Sequence, residues 1–306
     1  MFFAIIVTTS PLVKDAFLGG ITMYVSSVLP VLFPYAVITT IVSGLSVVDK
    51  IGRFFSPFTK KLFGVNGRVF LPLFIGITAG HPSGVKCVAD LKTANMLTET
   101  ESIRASAFCS MSSPVFLISC IGSIMFHSAK FGFYLFLSNI LTALIIGIIF
   151  SFYKRKTASK NTKIENVFPV PFSVAVEKAV LSVLYAGGFI VVFYMLTDIL
   201  LNIGALNPLI HLLNFIFKDT TVSTGIIAGL FESTKGFKII AADKMSFMTL
   251  PLCAFITGFS GISMICQSTA FLKSAKIKTA PFIFSKILSA AICTLFGLIF
   301  SALFFG

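Results

Sequence analysis

Charged side chains are scarce in this chain of 306 residues, where Asp, Glu, Lys and Arg together account for 11%. That is about half of the share found in an ordinary globular protein. Tryptophan is absent, whereas 36 Phe residues contribute to an apolar fraction of 56% and a mean hydropathy of +0.99. These values exclude a soluble domain and predict a polytopic membrane protein of the all-α class.

Catalytic and metal-binding patterns are also missing. The sequence contains no P-loop, no cluster of His and carboxylate residues for a metal, and no Ser, His and Asp at a spacing typical of a triad. The 6 Cys lie scattered in apolar surroundings without a CxxC pair, which is typical of small core residues rather than metal ligands or disulfides. We therefore predict that the protein is not an enzyme and holds no cofactor, with Na⁺ or H⁺ as candidate coupling ions.

Acidic residues are few, and 24 Lys and Arg against 11 Asp and Glu give a net charge of +13. Such an excess can indicate nucleic acid or anionic lipid as a partner. Here, three segments (49–68, 154–178 and 273–278) hold fourteen basic residues, against three in the loops predicted for the opposite side. Because Lys and Arg concentrate in cytoplasmic loops, we predict that these segments are cytoplasmic and expect no nucleic-acid partner.

Long apolar runs are present instead. Residues 131–152 and 280–305 are each long enough to cross a hydrocarbon core of about 30 Å as a helix. The run 18–48 contains two prolines, which kink helices, and it predicts an interfacial or tilted part followed by a membrane helix. Segment 49–68 mixes basic residues with Phe and predicts an amphipathic helix on the membrane surface. The sequence MFFAIIVTTSPLV at the start lacks a basic region and is interpreted as an interfacial anchor or an extra helix rather than a cleaved signal.

Two breaks interrupt the apolar pattern of the first half. The sequence GHPSG at 80–84 lies between two segments too short to cross, which predicts a re-entrant hairpin. A helix is predicted to begin at Thr98, a capping residue followed by acidic residues, and to be broken by SSP at 112–114. In a membrane, non-helical backbone is tolerated only where protein buries it or where it lines a wet cavity. The two breaks therefore predict a built site.

The second half of the chain repeats the first at an offset near 147–150 residues. Each unit is predicted to hold a span, a hairpin, a broken span and a plain span. Three crossings per unit would place the two copies in opposite orientations, and inverted repeats with broken helices are typical of secondary transporters. The predicted units are 1–153 and 179–306, joined by the basic linker 154–178. The matching words are GITAG at 76–80 and GIIAG at 225–229, SNILTA at 138–143 and SKILSA at 285–290, GIIFS at 147–151 and GLIFS at 297–301, and SSPVFLISC at 112–120 and FSGISMIC at 259–266.

Ten polar side chains at the breaks are the candidate substrate-binding residues. Glu232 is the most informative, because an acid at membrane depth is costly and marks pathways or proton relays; a local pair with Lys235 is the alternative. His81 is interpreted either as a proton carrier or as a side chain bonded to backbone. Elsewhere, Lys86 and Asp90 are predicted to pair at helical spacing, and Asp198 and Asn202 are read as solvated residues near a helix end. The ten candidates are His81, Ser83, Ser112, Ser113, Glu232, Ser233, Thr234, Ser260, Ser263 and Gln267.

Four motifs carry a resemblance to a known family: GHPSGVK at 80–86, SMSSPVFLISCIGSIMF at 110–126, GLFESTKG at 229–236 and FSGISMICQ at 259–267. With them the chain resembles the nucleoside-recognition (Gate) domain superfamily, and within it a group of sporulation integral membrane proteins. The resemblance covers roughly residues 18–305. It implies two re-entrant hairpins and two broken helices around a central site, as in concentrative nucleoside transporters. Glu232, Ser260, Ser263 and Gln267 fit that pattern, whereas His81-Pro82-Ser83 stands where those transporters carry a Gln and an acidic residue.

The sequence and the resemblance together predict transport of a small polar solute across the cell membrane. The mechanism would be ion-coupled alternating access, with a role in spore-envelope maturation in a spore-forming bacterium. A non-transporting membrane scaffold needed for sporulation is the alternative. The expected partners are the solute and the lipid bilayer. The sequence is compatible with a homo-oligomer and does not decide the oligomeric state.

Overall fold

The computed structural model describes residues 10–43, 46–154 and 170–306, and every regular element within these ranges is helical. Four helices are long and apolar enough to cross a membrane, or up to six if two bent helix pairs each count as one span. The prediction of an all-helical polytopic membrane protein is thereby confirmed. Inversion of the repeats and re-entry of the hairpins concern the position in a bilayer and remain predictions.

The helices follow one another along the chain with short connections. In order they are α1 (Ser10–Met23), a π-helical turn (Tyr24–Val28), α2 (Leu29–Ser43), α3 (Ser46–Phe63), a 3₁₀ turn (Gly67–Val69), α4 (Phe70–Thr78), α5 (Ser83–Thr93), α6 (Glu99–Phe108), a π-helical segment (Val115–Met125), α7 (Ala129–Ser151), α8 (Phe172–Asn202), α9 (Asn207–Phe217), α10 (Thr220–Phe231), α11 (Ser233–Ala241), α12 (Thr249–Phe259), α13 (Gly261–Ser274) and α14 (Ala280–Phe305).

The first hairpin consists of α4 and α5, as expected for two short segments around GHPSG. Gly80, with φ of +78°, ends α4, since a left-handed residue after a helix end is the conformation that glycine adopts most readily. The two helices touch at glycines: a Cβ on Gly84 would lie 2.8 Å from the Gly76 Cα and 2.1 Å from the Cys109 carbonyl oxygen. Small residues at such positions let backbones approach closely.

The second hairpin consists of α10 and α11 and repeats this glycine contact. A Cβ on Gly236 would lie 2.4 Å from the Gly229 Cα. The break was predicted over residues 232–236, but it is confined to Glu232, whose backbone is extended with φ of −138°. The helix restarts at once because the Glu232 side chain caps the new N-terminus.

Both predicted helix interruptions are present. In the first, α6 ends at Phe108 and the chain is irregular up to the π-helical segment, so the break begins three residues before the predicted SSP. In the second, Ser260 adopts φ of +74° between α12 and α13, while Thr249–Ser274 still counts as one span. The predicted broken span 98–126 is not among the bent helix pairs that could each form one span. One of those pairs is Phe54–Phe63 with Gly67–Thr78, whose two helices are bent by 99°.

Helices α7 and α14, which carry matching words of the repeat, pack against each other in antiparallel orientation. Near the start of α7, the ring of Tyr134 lies 5.5 Å from that of Phe300, close to the end of α14. Near the end of α7, Ile146 and Phe150 join a buried cluster with Phe282 from the start of α14. The corresponding helices of the two halves are therefore direct neighbours in the bundle.

Helix α8 overlaps the last part of the predicted linker 154–178. It begins at Phe172, after Pro171, so residues 172–178 are helical rather than part of a polar linker. Ala175 and Ala179 are buried in the first turns, while Glu177 and Lys178 are exposed. Charges on the exposed face of a helix start do not interrupt it, so polar composition alone does not mark this helix boundary. The rest of the linker, residues 155–169, and the N-terminal residues 1–9 lie outside the described ranges.

The described parts of the first and third basic segments lie at the same end of the bundle as the end of α7. Phe63 and Val69 share a buried cluster with Ala275 and Ile277. Arg104 donates from Nε to the Tyr153 carbonyl oxygen at 3.0 Å, and from another guanidinium nitrogen to the carbonyl of Gly64. In α3, the exposed residues Phe54, Phe55, Phe58, Lys60 and Lys61 form a mixed apolar and basic surface, as expected for a helix on a membrane surface. That this end faces the cytoplasm remains a prediction.

Candidate functional site

A small cavity of about 50 Å³ lies where both hairpins meet both broken spans. A volume of this size holds a few water molecules. Its polar wall comes from the breaks, and its apolar wall comes from α2, α8 and the turn before α2. The main lining residues are Val28, Leu32, Gly80, His81, Ser112, Ser113, Ala186, Ile190, Glu232, Ser233, Thr234 and Met264.

Six of the ten candidate residues line this cavity: His81, Ser112, Ser113, Glu232, Ser233 and Thr234. Ser83 lines a wider neighbouring cavity instead. Ser260, Ser263 and Gln267 are buried outside the lining, with Ser263 close to the Glu232 carboxylate. The structure thus brings most of the candidates together, while their role in binding remains a prediction.

Glu232 is almost fully buried and caps helix α11. Its Oε1 accepts hydrogen bonds from the Thr234 backbone N at 3.1 Å and from Thr234 Oγ1 at 3.0 Å. Its Oε2 is buried, and no donor among the described residues meets the distance and angle criteria of a hydrogen bond to it. The hydroxyl groups of Ser233 and Ser263 nevertheless lie near the carboxylate. One carboxylate oxygen is therefore left to accept a hydrogen bond from a molecule in the cavity.

The interpretation of Glu232 as a local pair with Lys235 is wrong. The Lys235 ammonium pairs with Asp198 of helix α8 and lies 4.2 Å from the centre of the Tyr194 ring. Asp198 keeps the solvent contact predicted from the sequence, since its side chain is 32% exposed, and it is also the partner of a buried lysine. The pair ties α11, which follows the second hairpin break, to the long helix α8.

Replacing Asp198 with Asn is expected to lower the thermal unfolding temperature, because Lys235 would stay buried without its carboxylate. The expected loss is about 1 to 3 kcal/mol, or roughly 2 to 10 °C. Unfolding can be followed with a thiol-reactive dye, since four cysteines, Cys109, Cys120, Cys253 and Cys293, are buried.

Asp90→Asn provides the matched control. Asp90 pairs with Lys86 at 2.9 Å, as predicted, and both side chains are more than half exposed. An exposed pair of this kind contributes about 0 to 1 kcal/mol. If Asp198→Asn proved as harmless as Asp90→Asn, the pair with Lys235 would not hold α11 to α8.

His81 lies at the tip of the first hairpin and lines both cavities. Its backbone N donates to the Met111 carbonyl oxygen at 2.8 Å. Its Nδ1, however, is buried and has no hydrogen-bond partner in the part of the chain that the structure describes. Backbone bonding therefore holds the hairpin tip in place and leaves this ring nitrogen for water or a ligand.

The wider cavity measures about 680 Å³ and adjoins the small one, with which it shares Leu32, Ala79, His81 and Ala186. It lies between the first hairpin, α2 and the first half of α8. Pockets for small molecules are typically about 300 to 1,000 Å³. The wider cavity falls within this range, and His81 lies where it adjoins the small one.

Lys286 is a residue that the sequence interpretation missed. It lies in the membrane-spanning helix α14, is only 2% exposed, and donates from Nζ to the Ser110 carbonyl oxygen at 2.5 Å. A lysine inside an apolar run of this length is the signal that could have identified it. In the repeat it aligns with Asn139, whose Nδ2 donates to the Ser112 carbonyl oxygen at 3.1 Å.

Long apolar helices, and helix breaks that meet at a small polar cavity, define a polytopic membrane protein with an internal cavity. Residues 25–129, which include the first hairpin and the first broken span, match the family model described as nucleoside recognition, named Gate. The chain is also 25% identical to the sporulation integral membrane protein YlbJ of Bacillus subtilis, over 90% of this chain and 74% of that protein. No solved structure matches. The resemblance indicated by the motifs is thereby confirmed.

Proposed function

We propose that this protein transports a small polar solute across the cell membrane by ion-coupled alternating access between its two halves. The observation that carries the proposal is the cavity, where two hairpins and a broken span bring Glu232 and His81 together with hydroxyl groups. Both residues have a buried polar atom without a partner among the described residues, and such atoms favour a bound molecule over an empty site. The match to the nucleoside-recognition model supports a solute with several hydrogen-bonding groups.

We further propose that the two halves are inverted repeats with re-entrant hairpins. The antiparallel packing of α7 against α14 supports this arrangement. So does the glycine contact shared by the two hairpins, Gly76 with Gly84 and Gly229 with Gly236. The common end of the basic segments would then face the cytoplasm. By its similarity to the sporulation protein YlbJ, the protein would serve sporulation.

A non-transporting membrane scaffold is the second candidate. The observation that favours it is the small volume of the inner cavity, about 50 Å³, which cannot enclose a whole metabolite. The wider cavity would then be a feature of the fold without a transported occupant.

Thermal unfolding of the detergent-purified protein in the presence of nucleosides, other metabolites and ions separates the two candidates. A ligand that binds only the folded state stabilises it by mass action, by about 2.7 kcal/mol at one hundred times its dissociation constant. A transporter is expected to show a saturable increase in unfolding temperature with one class of solute. A folded sample that responds to no compound would favour the scaffold.

A further inference from the structure

The first helix break leaves backbone carbonyls without partners inside their own helix. Three consecutive ones accept hydrogen bonds from three different parts of the protein. The Ser110 carbonyl accepts from Lys286 Nζ at 2.5 Å, that of Met111 from the His81 backbone N at 2.8 Å, and that of Ser112 from Asn139 Nδ2 at 3.1 Å. These three consecutive acceptors of the break are thus occupied by donors of the protein itself.

Lys286 is the charged member of this set. Its Nζ also lies 3.5 Å from the Ser260 hydroxyl in the second break, so it lies between the breaks of the two halves. It belongs to α14 in the second half and contacts Ser110 in the first half, 176 positions away in the sequence. The ammonium group thus lies next to a freed carbonyl and a hydroxyl, the oxygen types that bind alkali cations.

In transporters with broken helices, freed carbonyls at the breaks commonly coordinate the coupling cation. We propose that Lys286 occupies this cation position in the first break, so that the protein carries its own cation there and requires neither Na⁺ nor K⁺. This inference deepens the proposed function, on which its consequence for transport rests: neither Na⁺ nor K⁺ couples to transport at this position. The position of the lysine itself does not depend on that function.

The repeat offers a comparison within the chain. Asn139, at the position that matches Lys286, satisfies a carbonyl of the same break with a neutral amide. A neutral donor is therefore sufficient to satisfy a carbonyl here, and the charge of Lys286 is not required for that purpose alone. A positive charge in the centre of an apolar bundle is costly, which favours a specific role for it between the two breaks.

The test measures thermal unfolding in NaCl, in KCl and in N-methylglucamine chloride at equal ionic strength. The wild-type protein is expected to unfold at the same temperature in all three salts. Lys286→Ala is expected to unfold about 3 to 10 °C lower in N-methylglucamine chloride, because the Ser110 carbonyl loses its donor. NaCl or KCl should restore part of this loss in a saturable manner, since a small cation can enter the vacated position.

Lys278→Ala is the matched control, because Lys278 is exposed just before α14; it should behave as wild type in every salt. If Lys286→Ala does not yield folded protein, Lys286→Gln keeps an amide donor and should show the same cation dependence with a smaller amplitude. The proposal is overturned by a saturable response of the wild type to Na⁺ or K⁺, by wild-type stability of Lys286→Ala, or by a folded variant that no cation stabilises. Failure of the transport proposal would appear separately, as the absence of any solute response in the wild type.

Discussion

Replacing Glu232 with Gln is expected to abolish the response to the solute and to reduce transport by roughly 100-fold or more. The Glu232 carboxylate lies at the break of the second hairpin, and its Oε2 accepts no hydrogen bond from any of the described residues. A hydrogen bond to a charged, buried acceptor contributes about 1.5 to 3 kcal/mol, and leaving the ligand's donor unpaired adds to the loss. The measurement is the solute-dependent increase in unfolding temperature, followed by uptake into proteoliposomes.

The same variant is expected to fold. The Glu232 oxygen that caps α11 accepts from the backbone N and hydroxyl of Thr234, and the amide oxygen of Gln can accept both bonds. Without ligand, Glu232→Gln should therefore unfold at or above the wild-type temperature, because a buried charge without an ion-pair partner is removed. A strongly destabilised Glu232→Gln would indicate a structural role for the charge.

Glu101→Gln is the matched control for Glu232→Gln. Glu101 is also buried at a helix start, but both of its carboxylate oxygens accept hydrogen bonds. The Asn66 backbone N donates to Oε1, and the Thr98 backbone N and hydroxyl donate to Oε2. It forms the predicted cap of α6 together with Thr98. Its replacement should lower stability, since the amide cannot accept every bond, and leave the solute response intact. Full transport by Glu232→Gln would exclude Glu232 from the site.

Replacing Gly84 with Ala is expected to destabilise the protein by about 3 kcal/mol or more, and to reduce the yield of folded protein. The added Cβ would lie 2.1 Å from the Cys109 carbonyl oxygen and 2.8 Å from the Gly76 Cα. Both atoms belong to backbone, so neither moves without displacing α4 or the first broken span. Overpacking of this kind commonly costs about 1 to 3 kcal/mol and more where the backbone resists.

Gly188→Ala tests whether this effect comes from the close approach or from the loss of a glycine. Gly188 lies inside helix α8, and a Cβ added there would meet no atom within 4 Å. Because Ala favours a helix over Gly, this change should be neutral or stabilise by up to about 1 kcal/mol. Equal unfolding temperatures for the two variants would show that the hairpin does not pack at Gly84 as described.

Much of the fold could be predicted because its signals are local or periodic. Apolar runs indicated the helices α7 and α14, and the Gly, Pro and Ser clusters indicated where helices break. The match between 76–80 and 225–229 indicated that each half contains a hairpin. Boundaries were less certain: the first break begins at Cys109, and α8 begins at Phe172, because helix ends depend on caps and contacts that hydropathy does not register.

The sequence could predict which residues form the candidate site, but not which charged side chains pair with each other. Polar residues at helix breaks stood out against an apolar background, and six of the ten candidates line one cavity. Lys235, however, follows Glu232 by three positions and yet pairs with Asp198, which is 37 positions away. Since Glu232 turns back to cap α11, its carboxylate faces the cavity, while Lys235 in the first turn faces α8.

The sequence by itself determined the membrane class, the helical architecture and the breaks, because each follows from composition or short-range pattern. Only the tertiary structure decided which charges meet. The contact of Lys286 with Ser110 joins residues that are 176 positions apart, and it exists because α14 packs beside the first broken span. Such contacts depend on how helices cross, which is set by side-chain and glycine packing over the whole bundle rather than by any single segment.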